Sequence, residues 1–113
     1  MSTAELRKGF HAELDSIRSD TIRLAARLVE MIPRGTSVLL DDDLEGAEYI
    51  INGDDAFDAA VEAIEARCYT VLALQQPMAR DLRFLTAAIK INNDLERMGD
   101  LAVNIVERAL SLM

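Results

Sequence analysis

Asn92, Glu96, Asp100 and Asn104 follow one another at steps of four. On an α-helix that spacing turns each side chain about 40° from the last, so the four stack along one face. All four offer oxygen. Neither Glu96 nor Asp100 has a Lys or Arg four residues on to neutralise it. Oxygen-only donors suit hard or borderline cations such as Mg, Mn, Ca or ferric iron. The chemistry open to this row is therefore metal ligation, with Glu96 and Asp100 as charged ligands and Asn92 and Asn104 as neutral ones at its ends. A solvated helix face, or a surface that meets a protein directly, would show the same spacing.

Other chemistries find less support. His11 is the single histidine, so a two-His zinc site is excluded. Cys68 is the single cysteine; no intramolecular disulfide can form, and its place on an apolar stripe reads as a small buried side chain. There is no G-x-S-x-G, no P-loop and no C-x-x-C, and nothing pairs a nucleophile with a base. Glu96 and Asp100 could formally be an acid–base pair. Residues at i and i+4 of one helix more often face a common ligand, so an enzyme is not expected. Between Gly35 and Ala66 there are ten acids and no Lys or Arg. That run reads as helix caps and a solvated face, or else as a docking surface for a basic partner. Asp41-Asp42-Asp43-Leu44-Glu45 lacks the spacing of an EF-hand loop. A net charge of −8 disfavours nucleic acid as a partner.

The elements that must position the row are helices. Half of the 113 residues are hydrophobic, with no Trp, five Gly and two Pro, which suits a few long helices of Leu, Ala and Val. Leu6, Phe10, Leu14, Ile17, Thr21, Leu24, Leu28 and Met31 alternate threes and fours, predicting a helix over 4–31 that Thr3 could cap. Pro33-Arg34-Gly35 should end or kink it, with 36–40 apolar enough to resume. Residues 44–51 read as a short helix capped by Asp43, broken by Asn52-Gly53. Asp54 or Asp55 then caps a helix to about Gln75, with Phe57, Val61, Ile64, Cys68, Val71 and Leu72 inward. After the turn at Gln75-Gln76-Pro77, the last helix covers 78–112. Its inward stripe runs Met78, Leu82, Leu85, Ile89, Asn92, Glu96, Gly99, Val103, Val106, Leu110, so polar residues and a glycine interrupt its middle. The expected fold is all-α: an antiparallel three-helix bundle with one short connecting helix, forming a single domain over 1–113. No apolar run approaches the ~20 residues that span a bilayer, and the N-terminus has no signal-peptide pattern, so a cytoplasmic protein is expected.

Two blocks carry a resemblance. Leu72-Ala73-Leu74-Gln75-Gln76-Pro77-Met78-Ala79-Arg80-Asp81-Leu82-Arg83 and Asp94-Leu95-Glu96-Arg97-Met98-Gly99-Asp100-Leu101-Ala102-Val103-Asn104-Ile105 together look like the PhoU family of bacterial phosphate-signalling regulators. Glu96 and Asp100 match that family's E/D-x-x-x-D signature. The Phe10-His11 and Asp42–Glu48 segments fit more loosely. The resemblance implies an all-α fold built from tandem three-helix repeats, of which this chain has the length of one. It implies a non-enzymatic regulator that couples the phosphate ABC transporter to a sensor histidine kinase at the inner membrane face and represses phosphate-starvation genes. It also implies metal ions, including multinuclear iron or zinc clusters, at the E/D-x-x-x-D pair, with Mg or Mn equally compatible with the ligands. A chain with one repeat suggests a homodimer or pairing with a second PhoU repeat. A metal-free helical interaction module is the other reading.

Overall fold

Leu14, Ile17, Leu24, Leu28, Met31 and Val38 share one side of a helix, and all six are buried along α1 (Thr3–Asp41). The same logic sets α2 (Leu44–Gln75), whose buried side holds Ala47, Ile50, Phe57, Val61, Ile64, Cys68 and Val71. In α3 (Ala79–Ser111) it is Leu85, Ala88, Asn92, Leu95, Gly99, Val103, Val106 and Ala109. A computed structural model describes residues 2–113, and among these there is no strand. Only residues 42–43 separate α1 from α2, and only 76–78 separate α2 from α3. Links this short make sequential helices antiparallel neighbours. The result is a three-helix rod of 61 × 18 × 18 Å with α1 parallel to α3.

The register can be read from single contacts. Asn92 Nδ2 donates to Thr21 Oγ1 at 3.4 Å, and fourteen residues further along both helices Gly35 meets Val106. Antiparallel to them, Arg67 of α2 donates to Glu13, Ser16 and Asp20 of α1. The cap of α2 is equally specific. Asp43 Oδ1 accepts the Gly46 N–H at 3.0 Å, and its Oδ2 lies 3.2 Å from Arg34 Nε. A Cβ at Gly46 would stand 2.8 Å from that Arg34 nitrogen, so glycine leaves room for the pair.

Four local expectations are corrected. Ser2, not Thr3, caps α1, in a reciprocal capping box with Glu5. Pro33 does not end α1. Met31 before it and Val38 after it are buried on the same side, and this shared packing outweighs the lost hydrogen bond. Asn52-Gly53 does not break α2, so the separate short connecting helix is absent. Ile50 and Phe57 bracket the pair and are each 1% exposed, which holds the helix through a residue whose helical penalty is only about 1 kcal/mol. In α3 the inward positions are Leu95 and Ala109, with Glu96 only half-buried and Met78 and Leu82 exposed.

Candidate metal centre

The site begins with a close approach. Phe57 of α2 is packed on Gly99 of α3, where a Cβ would fall 2.8 Å from the ring's Cε1. The residue after each of these two is an aspartate, so the contact also brings Asp58 and Asp100 to the same edge of the α2–α3 groove. Asp54, one turn back along α2, joins them. Carboxylate oxygens of Asp54, Asp58 and Asp100 lie within 4.8 Å of one another. Asp54 and Asp58 are half-buried and Asp100 is exposed.

Among the described residues, none of the ion pairs involves Asp54, Asp58, Glu96 or Asp100. Oδ1 of Asp54 and Oδ1 of Asp58 are buried without any hydrogen-bond partner. The titration behaviour follows. Burial, then the charges of Asp54, Asp100, Glu96 and Glu62, push the Asp58 carboxyl up to about 6. Burial also raises Asp54, helped by Asp100, Asp55 and Glu107. Two partnerless buried oxygens beside a third carboxylate are what a cation-binding edge requires, and the donor set is all oxygen. The residues present therefore fit a metal ion.

The four residues singled out by sequence are not gathered together. Asp100 is in the cluster. Glu96, half-buried one turn earlier on α3, lies close enough to act on Asp58. Asn104 is exposed one turn beyond Asp100. Asn92 lies apart from these: it is 0% exposed and points at α1, with Nδ2 donating to Ala88 O at 2.8 Å and to Thr21 Oγ1. Sequence reasoning missed Asp54 and Asp58. They have the same D-x-x-x-D spacing as Glu96 and Asp100. Expecting a helix break at Asn52-Gly53 turned Asp54 into a cap and hid the second pair. Elsewhere, His11 is exposed beside Phe10, and Cys68 is buried, which pushes its thiol up.

The family model described as PhoU domain matches residues 21–109. A phosphate-specific transport system accessory protein PhoU homolog of Aquifex aeolicus is 44% identical over 100 residues, covering 88% of this chain and 45% of the relative. One from Streptococcus pneumoniae serotype 4 is 37% identical over 107 residues, 95% of this chain and 50% of the relative. One from Caulobacter vibrioides is 34% identical over 105 residues, 93% of this chain and 46% of the relative. The chain thus spans about half the length of the curated relatives it matches. No solved structure matches it at a significant level.

Proposed function

The chain belongs to the PhoU family, and on that footing we propose that it is a non-enzymatic accessory regulator of phosphate uptake. In this reading it works at the cytoplasmic face of the membrane as an adaptor between the phosphate ABC transporter and a sensor histidine kinase, keeping phosphate-starvation genes repressed. No helix among the described residues is long and apolar enough to cross a membrane, so contact with it would be peripheral. A second PhoU-type unit, from another copy or another chain, would pair with this one.

The observation that carries the metal part is the pair of facing carboxylate rows, Asp54 and Asp58 on α2 against Glu96 and Asp100 on α3, with two orphaned buried oxygens between them. Asp54, Asp58 and Asp100 would hold the ion, with Glu96 beside them and Asn104 at the exposed end. Asn92 would contribute core packing instead, because its amide is already engaged across the α1–α3 contact. A bound cation supplies neutralising charge. The chain's own residues fix the spacing of the two rows through Phe57 and Gly99, so ion occupancy would be coupled to how closely α2 and α3 pack. The second reading, direct docking of a basic partner without metal, draws on the exposed flank of the same edge, where Glu62 and Glu107 take part in no ion pair among the described residues.

The experiment is genetic. Removing this chain from its own organism should switch on phosphate-starvation genes in phosphate-replete medium, and restoring it should silence them. Unchanged expression and phosphate uptake after removal would overturn the proposal.

A further inference from the structure

We propose that the end of the rod formed by the start of α1 and the α2–α3 turn docks on an anionic lipid surface. The inference goes beyond the reading above, because this chain itself touches the lipid and needs no metal, transporter or kinase to do so.

The charge of the molecule is split along its length. Residues 2–11 and 70–84, which make this end, hold Arg7, Lys8, Arg80 and Arg83 against two acids, Glu5 and Asp81. The rest of the chain holds eight Lys and Arg against eighteen acids. The four cations are exposed, and none takes part in an ion pair among the described residues. Both acids lie in the first turn of a helix, where the positive end of the helix dipole offsets them. Glu5 also accepts the Ser2 N–H.

Apolar side chains project at the same end. Leu74 and Met78 are 74 and 80% exposed, and Leu6 and Leu82 are exposed as well. A mostly apolar groove of about 330 Å³ between α1 and α2 continues the patch, with Leu6, Phe10, Val71 and Leu74 in its walls. The turn that carries Met78 is strained. Gln76 and Ala79, on either side of Pro77-Met78, are left-handed at φ 45 and 47° without being glycine. Strain of this kind clusters at binding sites.

Exposed apolar side chains ringed by Lys and Arg match the two layers of a bilayer surface, the acyl boundary and the phosphates. The end of the rod is 18 Å across and can stand on a flat surface. Asp100 lies roughly 30 Å along α3 from Ala79, at 1.5 Å per residue. That is several Debye lengths of about 8 Å, so the acidic edge does not repel the lipid when the rod stands on this end. The opposite end gives the contrast. Leu39, Leu40 and Leu44 are exposed there too, but among Asp41, Asp42, Asp43 and Glu45, which an anionic surface rejects.

Flotation of the full chain with vesicles, chelator present, tests this. The protein should float with vesicles of equal parts phosphatidylglycerol and phosphatidylcholine, stay behind with phosphatidylcholine alone, and come off as salt is raised. Arg80→Glu with Arg83→Glu should cut binding by at least roughly tenfold, and Leu40→Ser at the opposite end should leave it unchanged. Should the charge-reversed variant lose its helical circular dichroism, Arg7→Gln with Lys8→Gln on α1 takes its place and should also weaken binding. The chain has no Trp, so Met78→Trp reports insertion: its emission should shift to the blue on phosphatidylglycerol vesicles only. No flotation with phosphatidylglycerol, equal binding to phosphatidylcholine alone, or undiminished binding by a folded charge variant would overturn the inference. So would release by inorganic phosphate at matched ionic strength, which would mean a free-anion site. Retention on polyglutamate without vesicle binding would also overturn it, in favour of an acidic protein partner. Each of these failures leaves the proposed function standing, since that rests on gene expression after the chain is removed.

Discussion

The ring of Phe57 and the backbone of Gly99 share one contact: a Cβ at Gly99 would lie 2.8 Å from Cε1 and 3.1 Å from Cδ1 of the ring. Phe57 is 1% exposed and has no room to retreat. Gly99→Ala would gain up to about 1 kcal/mol of helix propensity, but overpacking costs about 1–3 kcal/mol. The overpacking should dominate, and Gly99→Leu should be worse still. Thermal unfolding should show Gly99→Leu melting several degrees below the wild type. An equal melting temperature would mean that the helices are not as close as this contact requires.

The metal-free protein should gain stability as the pH falls. Asp58 titrates near 6 when folded, against an ordinary value of 3.8. Between those values the native state binds more protons than the unfolded chain, so stability falls as pH rises through the folded value. With chelator present, the urea midpoint should be higher at pH 5 than at pH 7, and Asp58→Asn should flatten that difference. An added divalent cation should reverse the trend, because ligation needs ionised carboxylates. A midpoint with the same pH slope in Asp58→Asn would assign the titration to other groups.

Asn92 offers a separate check on which residues belong to the metal edge. Its Oδ1 is buried without a partner, while its Nδ2 serves Ala88 and Thr21. Removing one partner of a buried hydrogen bond is costly only where it strands a buried group; Ala88 O lies within the ladder of α3 and Thr21 is only half-buried, so little is stranded. Asn92→Leu should therefore change stability by less than about 1 kcal/mol and should leave any metal-induced rise in melting temperature intact. Loss of that rise in a folded Asn92→Leu would return Asn92 to the ligand set.

The α2–α3 turn should accept glycine. Gln76 closes α2 at φ 45°, a left-handed conformation that costs a non-glycine residue about 1–2 kcal/mol. Part of that is offset by the greater freedom of glycine in the unfolded chain. Gln76→Gly should raise the urea midpoint by a net stabilisation of about 1 kcal/mol. A lower midpoint would show that the glutamine side chain contributes something that the backbone conformation does not reveal.

Periodicity made the three helices legible, because one apolar stripe per helix is what a bundle needs. Punctuation was less informative. Pro33 and Asn52-Gly53 looked like stops, yet Met31, Val38, Ile50 and Phe57 are buried on either side of them and hold the helices through. A local penalty of one to three kcal/mol, roughly, is smaller than the packing that it would disrupt. Glu96 and Asp100 could be picked out because they lie on one helix. Asp54 and Asp58 carry the same spacing, but the break expected at Asn52-Gly53 made Asp54 a cap, and that they meet Asp100 depends on the register of α2 on α3, set by a glycine against an aromatic. Asn92 shares the four-residue spacing of the row, but each step of four turns about 40° round the helix, so two steps separate its direction, toward Thr21, from that of Asp100.

The metal reading is tested most directly by titrating Mn²⁺ into the chelator-stripped protein at pH 7.5 and following its thermal unfolding. The wild type should melt higher as the ion is added, by the equivalent of about 2.7 kcal/mol at a hundredfold excess over Kd. Asp58→Asn with Asp100→Asn removes one carboxylate from each facing row. That variant should start out at least as stable as the ion-free wild type, because repulsion is relieved, and should show no rise. A wild type whose melting temperature does not move with Mn²⁺, Mg²⁺, Zn²⁺ or iron would contradict the metal centre and leave the acidic edge as a protein-docking surface.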